Sequence, residues 1–283
     1  MKSSIHILRS FAVACIFMMI ATCSIAQKEF PDKQYQPEVG QEGKDVVWVP
    51  TPQALVDKML DLAKVTPDDY VIDLGSGDGR TVITAAKRGA RALGIEYNPD
   101  MVALSNRNAE AEGVSDKATF LNADLFETDF SKATVITMFL LSSINLKLRP
   151  KILDLKPGTR IVSNTFDMGD WIPDEKANAY DTTDNTTDYS STYDTALFWI
   201  VPAKVEGIWH MSQGELTLTQ KFQMISGSIN NAESVIPVEN GRLRGDQISF
   251  DAGDAHYSGK VDGKVIEGVV TIAGTNSTWR ATL

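Results

Sequence analysis

Between about residue 50 and residue 165, short continuous apolar runs alternate with stretches whose apolar positions recur every three or four residues. Leu55, Met59, Leu62 and Ala63 fall at i, i+4, i+7 and i+8, which is one stripe of a helix. Thr51-Pro52 ahead of them reads as an N-cap followed by proline at the first helical position. The runs "YVIDL", "RALGIE", "ATFLNA", "TVITMF" and "TRIVSN" are short and bounded by turn formers, so they predict buried strands. Helices are expected at Arg80 to Arg88, at Asp100 to Glu112, and over a short stretch near 145–154. After the polar run "DTTDNTTDYSSTYDT" at 181–195, read as a long exposed loop, "ALFWIVPA" returns as one more strand. Strands separated by helical crossovers require a parallel sheet.

From about residue 204 the period changes to two. In "ELTLTQKFQM", Leu216, Leu218, Phe222 and Met224 share one face with Gln220, and Thr217, Thr219, Lys221 and Gln223 share the other. Further short strands follow in "GRLRG", "DQISFDA", "HYSGKV", "KVIEGVVTI" and "TWRATL", punctuated by glycine and asparagine. Many short antiparallel strands in roughly 80 residues predict a small barrel or sandwich. The expected fold is therefore α/β, a doubly wound and mostly parallel sheet, followed by a small antiparallel β-barrel or sandwich.

The N-terminal pattern is different again. Lys2 and Arg9 precede the apolar run "FAVACIFMMIATCSIA", and Ser24 and Ala26 place small residues before Gln27, so residues 1–26 read as a signal peptide. The expectation is export to the periplasm or beyond, with cytoplasmic residence if the signal is not used. Residues 27–47, with Pro31 and Pro37, read as a loose lead-in. Both cysteines, Cys15 and Cys23, lie in the first 26 residues, so the remainder is expected to hold neither a disulfide nor a thiolate metal site. Nothing after residue 26 is long and apolar enough to span a membrane as a helix.

Charge and histidine usage exclude several chemistries. The net charge is −10, and residues 1–26 contribute basic residues but no acid, which disfavours a nucleic-acid partner. No histidine lies between residues 27 and 209, so a Ser-His-Asp hydrolase or a histidine-ligated metal centre in the α/β region is excluded, and no metal is expected.

The chemistry-bearing stretch is "VIDLGSGDGR", Val71 to Arg80. Its glycines, Gly75, Gly77 and Gly79, are spaced G-x-G-x-G rather than the G-x-G-x-x-G of dinucleotide folds. Asp73 and Asp78 bracket the loop, an unfavourable place for a pyrophosphate but a good one for a cofactor carrying an ammonium and a sulfonium. Glu96 ends the second strand, where a carboxylate accepts hydrogen bonds from both ribose hydroxyls. Asp124 follows the third, where it can receive the exocyclic amine of adenine. One acid after each of three consecutive strands is far more specific than the glycines alone.

These residues make the chain similar to the class I, seven-β-strand S-adenosylmethionine-dependent methyltransferases over roughly 48–203, with 204–283 left as an all-β C-terminal domain. "VPTPQALVDKMLDLAKVTPDDYVIDLGSGDGRTVITAAKRG" resembles the small protein-lysine methyltransferases of bacteria and mitochondria. "FLLSSINLKLRPKILDLKPGTRIVSNTF" resembles the corresponding part of the disruptor-of-silencing histone-lysine methyltransferases. The resemblance implies S-adenosylmethionine as cofactor. It puts Asp73, Gly75, Ser76 and Gly77 around the methionine end, Glu96 at the ribose and Asp124 at the adenine, with Thr51 on the cofactor side. It implies a methyltransferase whose acceptor is a protein lysine or another amine.

The sequence departs from one branch of that class. Where enzymes that methylate amino groups of nucleic acid and glutamine carry Asn/Asp-Pro-Pro-Tyr, this chain has "FLLSS", Phe139 to Ser143. Transfer to an amine needs orientation and exclusion of water more than acid–base machinery, and no catalytic base is identified. Phe139, Ser142, Asn145 and Trp171 are the acceptor-side candidates by position. The alternative from another class is an exported nucleoside- or ligand-binding protein that uses this fold as a scaffold, with the β-barrel as its binding module.

Overall fold

Alternating burial along the strands assigns successive side chains to the two faces of a single sheet. The computed structural model describes residues 35–179, 193–231 and 233–283. The signal-peptide reading of 1–26 and most of the loop at 181–195 lie outside them. The sheet contains β1 (Tyr70–Leu74), β2 (Arg91–Glu96), β3 (Ala118–Asn122), β4 (Val135–Met138), β5 (Arg160–Asn164), β6 (Glu175–Asn178) and β7 (Thr195–Ile200). Their spatial order is β3-β2-β1-β4-β5-β7-β6. Strands β1 to β5 are mutually parallel, and β7 runs antiparallel to both β5 and β6.

Among the described residues four helices cover the faces: α1 (Gln53–Leu62), α2 (Arg80–Lys87), α3 (Pro99–Ala111) and α4 (Ser142–Leu153). Val71, Val135, Val162 and Phe198 pack with Leu55, Met59, Val82 and Ala109, on the face of α1, α2 and α3. Their chain neighbours Ile72, Ile136, Ile161 and Trp199 pack with Ile144, Leu148 and Ile152 of α4 on the other face. Strand order reverses between β1 and β4, and in open α/β sheets ligands bind beyond the carboxyl ends of strands at such a reversal.

Three sequence expectations need correction here. Thr51 does not cap α1: Pro52 holds the cap position with ψ 140° and no side-chain bond, while Thr51 Oγ1 accepts a hydrogen bond from Asn164 Nδ2 at 3.3 Å. Strand β6, "EKAN", escaped the hydrophobic pattern because it is an exposed edge strand of polar residues. The run "ELTLTQKFQM" is not one strand. It folds back at Phe222, whose φ is +56°, so Met224 is exposed and Ile225 takes the inward phase.

The C-terminal strands close into a barrel. They are β8 (Gly207–Met211), β9 (Gly214–Lys221), β10 (Met224–Asn230), β11 (Val235–Arg244), β12 (Gln247–Ala252), β13 (Ala255–Asp262), β14 (Val265–Ile272) and β15 (Thr275–Thr282). Each pairs antiparallel with the next, and β15 returns to β8. Trp209, Leu216, Leu218, Phe250, Tyr257 and Trp279 fill the interior. Interior side chains alone can fill an eight-stranded barrel.

Barrel and sheet meet along the loop between β5 and β6. The ring of Trp171 stacks on Phe222 with centroids 5.8 Å apart, and Gln223 Nε2 donates to Ile172 O at 2.8 Å. Arg242 pairs with Asp174 at 2.6 Å and Arg244 with Glu175 at 2.5 Å. The Asp174 side chain is almost fully buried and also accepts from Ile200 N, so its charge is compensated on two sides.

A candidate cofactor cleft with an aromatic wall

The glycine loop is shaped by backbone signs that favour glycine. Gly77 has φ +54°, and a Cβ there would stand 2.7 Å from Trp48 Nε1. Gly79 has φ +83°, and its Cβ would stand 2.8 Å from the Phe120 ring. The loop is tied down by Gly75 N and Ser76 N, which both donate to Ile95 O, and by Ser105 Oγ, which donates to Gly77 O at 2.9 Å.

Three carboxylates surround this loop in unlike environments. Asp73, at the end of β1, is buried and accepts from Thr137 Oγ1 at 2.6 Å. Burial pushes its carboxyl up to about 7; the Thr137 bond opposes that, and the charges of Glu96 and Asp78 add to it. An added ammonium or sulfonium would restore its charged form.

Glu96 is fixed by two backbone donors. Gly77 N donates to Oε2 and Asn98 N to Oε1, both at 2.9 Å. Each oxygen keeps a free lone pair, the arrangement that two vicinal hydroxyls need. Replacing Glu96 with Ala removes that acceptor pair and leaves the two N–H groups unbonded by it. Loss of a charged hydrogen-bond partner costs roughly 1.5–3 kcal/mol, so Glu96→Ala is expected to weaken S-adenosylhomocysteine binding by about ten- to a hundredfold in calorimetry. Unchanged affinity would remove Glu96 from the site.

Asp124 accepts from Phe126 N at 2.9 Å and pairs with Lys44. The Lys44 hydrogen bond, helped by Phe126 N–H, holds the Asp124 carboxyl below the usual range. Lys44 also lies over the Tyr97 ring, 4.7 Å from its centroid. An adenine amine reaching Asp124 Oδ2 therefore shares or displaces the Lys44 contact. Asp78, which the sequence placed beside the cofactor charge, lines the cleft and is paired with Arg80 at 2.6 Å.

The cleft is lined by Asp73, Gly75, Ser76, Gly77, Glu96, Asp124 and Thr51, so all seven cofactor-side residues read from the sequence come together in one place. Their donor set fits S-adenosylmethionine: anionic groups for its cationic end, a fixed carboxylate for a diol, and a carboxylate for an aromatic amine. Ser76 Oγ is buried among them without a hydrogen-bond partner. Among the described residues no cluster of His, Cys, Asp and Glu has the shape of a metal site.

Of the four acceptor-side candidates, only Phe139 lines the cleft. Ser142 is the first residue of α4 and is not among the lining residues. Asn145 is fully buried, and its Nδ2 donates to Phe166 O at 3.0 Å and to Asp167 O at 3.1 Å, so it holds a loop in place. Trp171 is also fully buried, its ring taken up by Phe222 and by Trp199 at 6.2 Å. Both are corrected to packing roles because each is fully buried and neither lines the cleft, although Asn145 Oδ1 and Trp171 Nε1 have no hydrogen-bond partner.

Sequence reading missed the strap formed by residues 41–51, which builds one wall of the cleft. Trp48 N donates to Gln41 O and Gly40 N to Trp48 O, both inside the segment read as a loose lead-in and its margin. The run "GKDVVWVP" carried the signal: it is too apolar for a solvated leader. Phe166 and Tyr193 were also missed. With Phe139 they form an aromatic wall, at centroid separations of 5.9, 5.3 and 6.0 Å.

Residues 73–175 match the family described as the ANTKMT methyltransferase domain. A protein-lysine N-methyltransferase of Saccharolobus islandicus is 46% identical over 147 residues, which are 51% of this chain and 91% of that protein. The adenine nucleotide translocase lysine N-methyltransferase of Mus musculus is 35% identical over 120 residues, which are 42% of this chain and only 52% of that relative. Among solved structures, an RNA methyltransferase from Salinibacter ruber in complex with S-adenosyl-L-homocysteine aligns with TM-score 0.50 and 46% identity, covering 56% of this chain and 96% of that one.

Proposed function

Because this chain belongs to the class I S-adenosylmethionine-dependent methyltransferases, near the protein-lysine methyltransferases, we propose that its acceptor is the side-chain amine of a protein lysine. The observation that carries this reading is the Saccharolobus islandicus protein-lysine N-methyltransferase, of which the chain covers 91% at 46% identity. The name of the Salinibacter neighbour, an RNA methyltransferase, points to another acceptor class. A net charge of −10 weighs against it, because a polyanion would be repelled. The exported binding-protein alternative finds no support in these relatives, which carry methyltransferase names.

When bound, S-adenosylmethionine supplies a methyl carbon activated by its sulfonium. The chain's own part is to hold and to exclude. Asp73 faces the cationic end, Glu96 presents its two acceptor lone pairs, and Asp124 offers an oxygen to the adenine amine. The strap at 41–51 and Phe139 restrict water at the cleft. A lysine amine must lose its proton before it can act as nucleophile, and an apolar wall favours the neutral form by desolvation.

The test is transfer of tritiated methyl groups from S-adenosylmethionine into a protein extract of the native host, followed by acid hydrolysis. Label is expected in methylated lysines. Label confined to RNA, or to residues other than lysine, would remove the lysine reading while leaving the enzyme class intact.

A further inference from the structure

We propose that Phe139, Phe166 and Tyr193 form an acceptor subsite for an alkylammonium side chain, with a preference for its methylated forms. The proposal rests on the lysine reading and deepens it. The three rings come from separate places in the chain: one residue after β4, two after β5 and two before β7. Strand β7 runs antiparallel to β5, with Ala196 opposite Asn164, so all three positions fall at the same edge of the sheet. Phe139 lines the cleft itself, so the cluster is continuous with the cofactor site.

The rings are packed as a group and remain partly exposed. Phe139 and Phe166 are stacked at 26°, and Tyr193 meets Phe139 edge-on at 62°. Four other partly or fully exposed rings carry one of the chain's own cations. Lys44 lies over Tyr97, Arg91 over Tyr70, Lys147 over Phe126 and Arg149 over Phe222. Among the described residues no Lys or Arg lies over Phe139, Phe166 or Tyr193. An acid directly follows two of the three, Asp167 after Phe166 and Asp194 after Tyr193, and neither makes an ion pair among the described residues. The wall therefore offers electron-rich, partly exposed ring faces that no Lys or Arg among the described residues covers, and a weakly hydrated organic cation is the ligand that answers them.

Methylation strengthens the fit. A bare ammonium is compact and strongly hydrated, so leaving water costs it more than it costs a trimethylammonium. Ring faces attract both through their quadrupoles, and aromatic groups of this kind recognise quaternary ammonium. The subsite thus holds methylated lysine better than unmodified lysine. Mono- and dimethyl-lysine, which can still shed a proton to expose a lone pair, are kept for further transfer, and trimethyl-lysine is the end product.

The experiment compares two probes on the S-adenosylhomocysteine-saturated protein by saturation-transfer NMR titration. One is Nα-acetyl-Nε-trimethyl-lysine amide; the other is its neutral isostere with a tert-butyl carbon in place of the nitrogen. The cation is expected to bind about two- to fivefold more tightly, and more tightly than the unmethylated lysine amide. Phe166→Leu combined with Tyr193→Leu should abolish the preference at unchanged S-adenosylhomocysteine affinity, and Tyr193→Phe should retain it. Equal binding of the two probes to the unaltered protein overturns the proposal, as does a preference that survives in the double variant. Neither readout depends on turnover, so failure of the lysine reading, seen as label outside lysine, is a separate result.

Discussion

Asp73→Asn is expected to raise the melting temperature of the cofactor-free protein at pH 8 while loosening its hold on S-adenosylhomocysteine. The carboxyl of Asp73 sits at about 7 in the folded chain against 3.8 for an unperturbed aspartate, chiefly because burial penalises its charge. Raised pKa fixes the sign. Below about pH 4 the group is neutral whether the chain is folded or not, and the folded state loses nothing. As pH rises from about 4 to 7, unfolding releases a proton that folding retains, so stability falls and then levels off above 7. A shift of this size corresponds to at most about 4 kcal/mol. Asparagine keeps an acceptor for Thr137 Oγ1 and carries no charge, so it escapes the loss. Thermal melts should therefore coincide for the two proteins near pH 4 and separate progressively toward pH 8. Cofactor affinity should move the other way. Losing the partner of the cofactor's cationic end costs roughly tenfold to a hundredfold at pH 8. The unaltered protein should itself bind more weakly as pH falls below 7, and the variant should not follow. Parallel melts across this range would show that the Asp73 charge is not being held against burial.

Trp171→Ala is expected to destabilise the protein by about 3–5 kcal/mol, the usual range for removing a buried tryptophan ring. The ring is fully buried between Trp199 and Phe222, and its carbonyl accepts from Trp199 Nε1 at 2.8 Å. Its own Nε1 has no hydrogen-bond partner, so the loss is one of packing rather than of a polar bond. Because Phe222 belongs to the barrel side of that stack, the variant should also loosen the barrel from the sheet. Urea denaturation monitored by the remaining tryptophans measures both: a lower midpoint, and a split into two transitions if docking fails first. Full stability with a raised KM for the acceptor protein would instead return Trp171 to the substrate side.

The α/β architecture was legible because β1, β4, β5 and β7 are buried on both faces and therefore read as continuous apolar runs, whereas the flanking strands β3 and β6 are largely exposed. "YVIDL" and "RALGIE" match β1 and β2 to the residue. The barrel was legible from its period of two, but the Phe222 hairpin was not, since a turn closed by a non-glycine residue in the left-handed region leaves no composition signal. In the site, acids placed after successive strands were readable because topology alone brings strand ends together. Asn145, Trp171 and the strap at 41–51 were not, because whether a side chain faces a cleft or a neighbouring core depends on long-range packing. Asn145 illustrates this best: its position one turn into α4 suggested substrate contact, and its partners turned out to be two backbone carbonyls of the β5–β6 loop.

The closed barrel has a consequence for solubility. A strand whose outer N–H and C=O groups are unpaired is a template for another chain, and edge-to-edge pairing is a common route to aggregation. Of the fifteen strands among the described residues, eight belong to the closed barrel, whose seam is the short β15–β8 pairing of Ala281 and Thr282 with Met211 and His210. Only β3 and β6 flank the sheet. Both are short, and β6 is the polar "EKAN", its Glu175 engaged by Arg244. Among the described residues the sheet thus offers growing aggregates two brief edges, one of them guarded by charge, and the barrel seam leaves part of β15 unpaired.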